Sequence, residues 1–396
     1  MILQHSFFMT FEELTTIEKL NNAFKECSKI SHWKESTQRY KANMLLRNTE
    51  LQNELRSGEY KIGNTIDFVI FERGKRRQIK APVIKDRIVQ KVLCKEILIP
   101  ALTKPLIYDN YASLKDRGTS FARKRIDIML RRYIRKYGEN GYILQIDIRK
   151  FFESIDHQTL RGMVHERIKE PKEIMDLIDY IIDTSSDSDV GLNLGAECPQ
   201  IFAVYYLSSI DNYVKTVRGM KYYGRYMDDI FIISDSKDEL KSILEDIKYR
   251  LGDIKLKINE RKTHITTLKH GFTFMQIKYS VQDGRIIKRP TRSKIARERR
   301  RLKKYKKKLE KRQMSLLDIQ NCYKSWRNNI LKDCNACCRS IHELDKLFDR
   351  LFLKHESYRK VTREQLIRKA YREAYNGKGI FRRRNCYRSN FEHEHF

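Results

Sequence analysis

Proline is scarce, with six in 396 residues, and glycine reaches only sixteen. That excludes collagen-like, linker-rich and many-stranded all-β designs. No run of eighteen apolar residues occurs anywhere, which excludes a membrane-spanning helix. The opening residues, Met1 to Phe8, lack the charged start and long apolar core of a secretory signal. Eight cysteines in such a chain are expected as reduced thiols in a cytoplasm. Cys334, Cys337 and Cys338 look like a metal knuckle, but Cys322 or His342 would have to bend round to complete it. Small apolar thiols on a helix face are the expected reading. Acid is the last shortage: 51 Asp and Glu face 82 Lys and Arg, a formal net charge of +31. Such an excess repels itself, and a polyphosphate partner relieves it. A hydrophobic fraction of 40%, with 22 Tyr and 18 Phe, excludes wholesale disorder.

The apolar periodicity organises the chain. Leu14, Ile17, Leu20 and Phe24, then Leu45, Leu51 and Leu55, predict two helices over residues 10–57, stopped at Gly58. Residues 61–83 read as extended, and 86–98 as helical. In the middle, Tyr142 to Ile146 is a short apolar strand ending in Asp147. Helices over 157–167, 174–182 and 200–214 follow. Strands over 221–226 and 230–234 then flank a turn holding Asp228 and Asp229. A helix over 238–251 and a strand over 263–268 complete a split βαβ order, a four-stranded antiparallel sheet backed by helices. Between Lys288 and Arg312, fifteen of twenty-five residues are Lys or Arg. Ile295, Leu302, Tyr305 and Leu309 keep a helical stripe through that run, so a basic helix lying along nucleic acid is expected. Residues 315–353 continue helical, with Leu317, Tyr323, Trp326, Ile330, Leu344, Leu347 and Leu351 as core. The last twenty residues read as loosely structured.

Asp147, Asp228 and Asp229 carry the chemical signal. An Asp-Asp pair in a turn is ordinary by itself. Here each acid ends or interrupts strongly apolar β-sequence, and acids paired at strand ends call for a cation. Oxygen donors with no His or Cys nearby select Mg²⁺ over zinc. Two such ions about 4 Å apart serve in-line phosphoryl displacement.

Tyr226-Met227-Asp228-Asp229 resembles the signature turn of reverse transcriptases, and Asp147-Ile148-Arg149-Lys150-Phe151-Phe152 resembles their first catalytic motif. Further blocks stand in the expected order: Gly74 to Pro82, Asp86 to Gln90, Tyr111 to Thr119, Leu194 to Gln200, Leu256 to Thr263 and Gly271 to Met275. The resemblance covers residues 60–345 and is to bacterial retroelement enzymes. Ala196-Glu197-Cys198 before Pro199-Gln200, and Gln276 where a glycine is usual, depart from intron maturases. They look like the branch of diversity-generating retroelements and antiphage-defence reverse transcriptases.

The resemblance implies an α+β right-hand polymerase with fingers, a ferredoxin-like palm and a helical basic thumb. Its parts would be an N-terminal helical segment at 1–60, fingers at 61–137, palm at 138–287, thumb at 288–360 and a basic tail at 361–396. It implies that Asp147 and Asp228 bridge two Mg²⁺ ions, with Mn²⁺ as a substitute, while Asp229 and the Ile148 carbonyl support them. Phe152 takes the steric-gate position against a 2′-hydroxyl, and Gln200 braces the incoming nucleotide. Arg77 and Lys75 neutralise triphosphate, and Lys262 protonates departing pyrophosphate. Arg299, Arg300, Arg301, Lys303 and Lys304 track the template–primer backbone. The expected activity is RNA-directed DNA synthesis with dNTPs on an RNA template, a dedicated non-coding RNA, with a DNA product or primer and no membrane. The alternatives are template-independent or protein-primed synthesis, and a non-catalytic RNA-binding scaffold.

Overall fold

A computed structural model describes residues 9–72 and 75–353, except for the side chains of Glu72, Lys75 and Cys338. Residues 361–396, expected as a basic tail, lie outside the described residues, as does Gly74. The chain divides after Lys288 into two compact units. Among the described residues, no helix is long and apolar enough to cross a membrane.

Four helices, not two, open the first unit: α1 (Phe11–Leu14), α2 (Ile17–Ser28), α3 (Glu35–Ala42) and α4 (Met44–Arg56). Thr10 and Thr16 each accept a backbone N–H at a helix start, so the chain restarts where the apolar spacing alone suggests continuity. Leu20, Phe24, Leu51 and Leu55 are buried as expected, whereas Leu45 is exposed. A hairpin follows, β1 (Ile66–Glu72) against β2 (Lys75–Ala81), then α5 (Ile84–Leu93) and, after one π turn, α6 (Ile99–Leu102). Arg87 on α5 does not pair with its neighbour Asp86. It donates to the Cys27 carbonyl at 2.8 Å, while Asp86 accepts from Tyr60 and the Gly63 amide.

α7 (Thr119–Tyr137) leads into β3 (Tyr142–Asp147). Next come α8 (His157–Arg167), α9 (Lys172–Asp183), α10 (Glu197–Tyr206) and α11 (Ser208–Asn212). The helix expected from residue 200 thus begins three residues earlier and breaks at Leu207. The hairpin β4 (Tyr223–Tyr226) and β5 (Asp229–Ser234), then α12 (Lys237–Asp253) and β6 (His264–Thr267), close the arrangement. The four strands form one antiparallel sheet in the order β4-β5-β3-β6, which is the split βαβ order read from the sequence. β5 is apolar without alternation because both of its faces are covered. α12 packs on β5 and β3, while Phe231 meets Phe274 with ring centroids 4.9 Å apart. A second sheet, β7 (Phe272–Phe274), β8 (Ile277–Gln282) and β9 (Arg285–Pro290), follows. Its Met275-Gln276 turn has φ of 46° and 64°. The glycine usual at the second position is explained by that left-handed backbone.

The second unit holds α13 (Arg292–Glu310), α14 (Leu316–Asp333) and α15 (Cys338–Phe348). Ile295 and Leu302 are buried with Ile319, Tyr323, Leu344 and Phe348, so the stripe through the basic run is a packed face. Leu317, expected in this core, is 64% exposed, and Ile319 two residues on takes the inward direction. Cys334 and Cys337 do not lie on a helix face. They cap the ends of α14 and α15 at the break between them, with Cys337 Sγ 3.7 Å from the Cys334 carbonyl.

Candidate active site

The acids meet where three strands end. Tyr226 pairs with Asp229, leaving Met227 and Asp228 as a two-residue turn. Met227 has φ of 53°, the left-handed region, at a position where such hairpins favour glycine. Holding a side chain there costs about 1–3 kcal/mol, and such a turn persists only where the surrounding structure enforces it. Gly224 in β4 admits no side chain, since a Cβ would lie 2.3 Å from the Tyr111 hydroxyl. Asp229 stands directly across from Asp147 in the β5–β3 register, so both side chains leave the same face of the sheet.

Asp147 is held from the loop between α12 and β6. Asn259 donates its side-chain amide to Oδ1 at 2.9 Å and its backbone N–H to the Asp147 carbonyl at 2.7 Å. Lys262 places its ammonium 2.5 Å from Oδ2. Burial holds the Asp228 carboxyl above its ordinary range. The charge on Asp147 adds to that rise, while Lys262 and Arg77 pull it back. Arg77, on β2 opposite Ile70, therefore acts on the Asp228 carboxylate from a separate sheet.

The other expected positions fall at different depths. Phe151 is buried in the core and Phe152 is half-buried, their rings 5.6 Å apart and nearly perpendicular. Gln200 is exposed and accepts from the Ser113 hydroxyl at 3.2 Å, on the rim of a cavity of about 340 Å³. Ile148 is bracketed by the bonds that bridge to Ile258, from the Arg149 amide to the Lys257 carbonyl and from Asn259 to the Asp147 carbonyl. The Lys75 side chain lies outside the described residues.

The sequence profile described as reverse transcriptase (RNA-dependent DNA polymerase) matches residues 71–279, which include the strand of Arg77 and all three acids. The chain belongs to the reverse transcriptase family. No curated protein matches it. Among solved structures it is similar to apo telomerase from Candida tropicalis truncated from its C-terminal domain, at 12% identity and a TM-score of 0.44, over 59% of this chain and 58% of that one. Apo telomerase from the same organism matches at 13% identity and 0.43, over 58% and 49% of the two chains. Telomerase from Candida albicans in complex with a fragment of telomeric RNA matches at 11% and 0.43, over 79% and 65%. The chain thus spans about half to two thirds of the length of these telomerases.

Reverse transcriptases as a family use divalent metal ions. Among the described residues no group of three or more His, Cys, Asp or Glu stands as a ready metal site, so the aspartates are not a preformed cage. Their chemistry nevertheless fits a hard cation. The donors are carboxylate oxygens, Asp228 is raised by burial and by Asp147, and a lysine ammonium already lies on Asp147 in the place of a positive charge.

In the second unit, Arg299, Arg300, Lys303 and Lys304 are exposed on α13. Arg301 differs. It donates to the buried Glu298 carboxylate at 2.8 Å and lies over the Tyr305 ring, so it is engaged in the helix packing. Three residues outside the expected set also bear on the site: Asn259, Arg225 and Asp211. Asn259 sits inside the Leu256 to Thr263 motif and could have been found there. Arg225 and Asp211 gave no local signal, because each looks like an ordinary charged residue until the fold buries both.

Proposed function

We propose that this chain is an RNA-directed DNA polymerase, adding deoxynucleotides to a primer held on an RNA template. The observation that carries the reading is the register of Asp147 against Asp229, with Asp228 at the adjoining turn and Lys262 drawn to Asp147. In this reading residues 61–137 serve as fingers, 138–287 as palm and 288–360 as thumb, with 1–60 and 361–396 flanking them. Asp147, Asp228, Asp229 and the Ile148 carbonyl are the groups that would hold two divalent ions, Mg²⁺ or Mn²⁺. Held there, two such ions would supply activation of the primer hydroxyl and stabilisation of the leaving oxygen.

The rest is done by this chain's own groups. Arg77 offers a guanidinium fork to triphosphate oxygens, with Lys75 beside it in sequence. Phe152 presents its ring to the sugar and excludes a 2′-hydroxyl. Gln200 braces the nucleotide from the start of α10. Lys262, its ammonium against Asp147, would give its proton to departing pyrophosphate. The exposed bases of α13 attract the template–primer backbone without reading its sequence. The Ala196-Glu197-Cys198 and Met275-Gln276 sequences support a place among bacterial or phage retroelements and antiphage defence systems, working on a dedicated structured RNA.

Purified protein incubated with dNTPs, Mg²⁺ and poly(rA)–oligo(dT) is expected to extend the primer only when template is present. Asp228→Asn with Asp229→Asn is expected to abolish extension and leave RNA binding nearly unchanged. Extension without template would establish the template-independent reading instead. Absence of extension by the wild-type protein on any primed RNA would overturn the proposal.

A further inference from the structure

Arg225 and Asp211 form an ion pair in which both side chains are 0% exposed. The Arg225 Nε donates to both carboxylate oxygens, at 2.8 and 2.9 Å, and Nη2 donates to Oδ2 at 2.7 Å. The Tyr223 hydroxyl, on the same face of β4, donates to the same carboxylate. Removing two charges from water is expensive, and apolar residues of similar volume often serve a core equally well. Stability alone therefore gives a poor reason for this pair. The guanidinium has further work: Nη1 donates to the Met227 carbonyl at 3.1 Å and Nη2 to the Val204 carbonyl at 2.8 Å.

Those two carbonyls belong to the parts of the site that most need fixing. Met227 is the strained first residue of the turn, directly before Asp228. Val204 lies on α10 one helical turn after Gln200. The Arg225 backbone is pinned as well, donating to the Asp109 carbonyl and accepting from the Tyr111 amide, in the segment that leads to Ser113 and its bond with Gln200. A lysine cannot reproduce this arrangement, since a single ammonium lacks the rigid fork that reaches a carboxylate and two carbonyls together.

We propose that Arg225, oriented by Asp211, is a positioning residue that sets the Met227 carbonyl and so fixes where the Asp228 carboxylate stands relative to α10. The inference rests on the polymerase reading above, and it acts through the turn, not through contact with substrate. Two variants test it. Arg225→Met with Asp211→Leu replaces the pair by apolar side chains and removes the bond to the turn. Arg225→Lys keeps a cation beside Asp211 and removes the fork.

For each variant we would measure the melting temperature, primer–template affinity, kcat and KM for dNTP, and amide exchange of the peptide covering residues 220–230. The expected result for the double variant is a melting temperature within a few degrees of wild type and an unchanged template–primer affinity. Exchange at Met227 to Asp229 should be faster, and kcat about 100-fold lower, the scale of loss when a reacting group moves by about 1 Å. KM should change little. Arg225→Lys should show the same pattern to a smaller degree. A folded double variant with wild-type kcat would overturn the proposal, as would a loss of kcat with unchanged exchange at the turn. If the double variant does not fold, Arg225→Lys decides by the same two readings. A wild-type protein without polymerase activity would end the functional reading alone, because the exchange of the turn still reports whether Arg225 holds it.

Discussion

Lys262 and Asp147 are joined by a 2.5 Å contact between ammonium and carboxylate, although they lie 115 positions apart. The lysine side chain is 48% exposed, so its charge remains within reach of solvent and of any ligand at the site. Asp147 therefore carries a compensating cation whenever nothing else supplies one.

Lys262→Met should separate the two consequences of that contact. The concentration of Mg²⁺ needed for half-maximal activity should fall, because a competing positive charge is gone. The limiting kcat should drop by about 10²-fold or more, the lower end of what a positioned general acid contributes. A metal titration of kcat checks both, and an unchanged kcat would leave Lys262 as a structural counter-ion.

Phe151 and Phe152 should behave oppositely when truncated. Phe152 is half-buried, and its loss should let ribonucleotides in, lowering discrimination by about tenfold or more. Phe151 is 3% exposed, so Phe151→Ala should cost about 3–5 kcal/mol of stability. Ratios of kcat/KM for dNTP and rNTP, with melting curves, distinguish the two. Discrimination preserved in Phe152→Ala would move the gate elsewhere.

The exposed bases of α13 predict a salt effect. Changing Arg299, Arg300, Lys303 and Lys304 to Gln should reduce the magnitude of the slope of log affinity against log salt by roughly 3 to 4, at about 0.9 for each duplex phosphate no longer neutralised. Arg301 is left intact because it serves Glu298. Single-turnover rates at saturating template–primer should stay near wild type. An unchanged slope would show that this face does not meet nucleic acid.

Glu298 gives a pH prediction for stability. Burial raises its carboxyl above the ordinary value of 4.5, against the opposing charge of Arg301. A carboxyl raised in the folded protein adds stability that is fully present below its unfolded pKa and is lost as pH rises through the folded one. Glu298→Gln cannot ionise, so its melting temperature relative to wild type should increase from pH 4.5 upward. A difference independent of pH would mean that Arg301 fully compensates the charge.

The four-stranded sheet is legible in the sequence because its strands are short apolar runs and the acids sit at their ends, a pattern that chain-local hydrophobicity reports directly. α7 was not readable. Its buried residues Ala122, Ile126, Met129, Leu130 and Tyr133 keep helical spacing, but Arg123, Lys124, Arg125, Arg131, Arg132, Arg135 and Lys136 dilute the apolar signal. Leu317 departs from its expected core place for a different reason: composition marks it as core, and only the phase of α14, set by the Ser315–Asp318 capping box, turns it outward. The site divides the same way. The aspartates, Phe152 and Gln200 come from compact motifs, whereas the Asp211–Arg225 pair joins α11 to β4 and takes on meaning only when both are buried.

β3 lies between β5 and β6, and the bonds on Asp147 come from residues 112 and 115 positions later. A chain emerging from the ribosome thus possesses all three aspartates well before it possesses Asn259 and Lys262. Contacts of such long sequence separation form late, after shorter loops have closed. Until the segment through Thr267 arrives, the sheet lacks its last strand and the first acid lacks its brace. The brace on Asp147 is therefore completed only after all three acids have been made, and a truncated product that stops short of Asn259 carries the aspartates without the two side chains that hold the first of them.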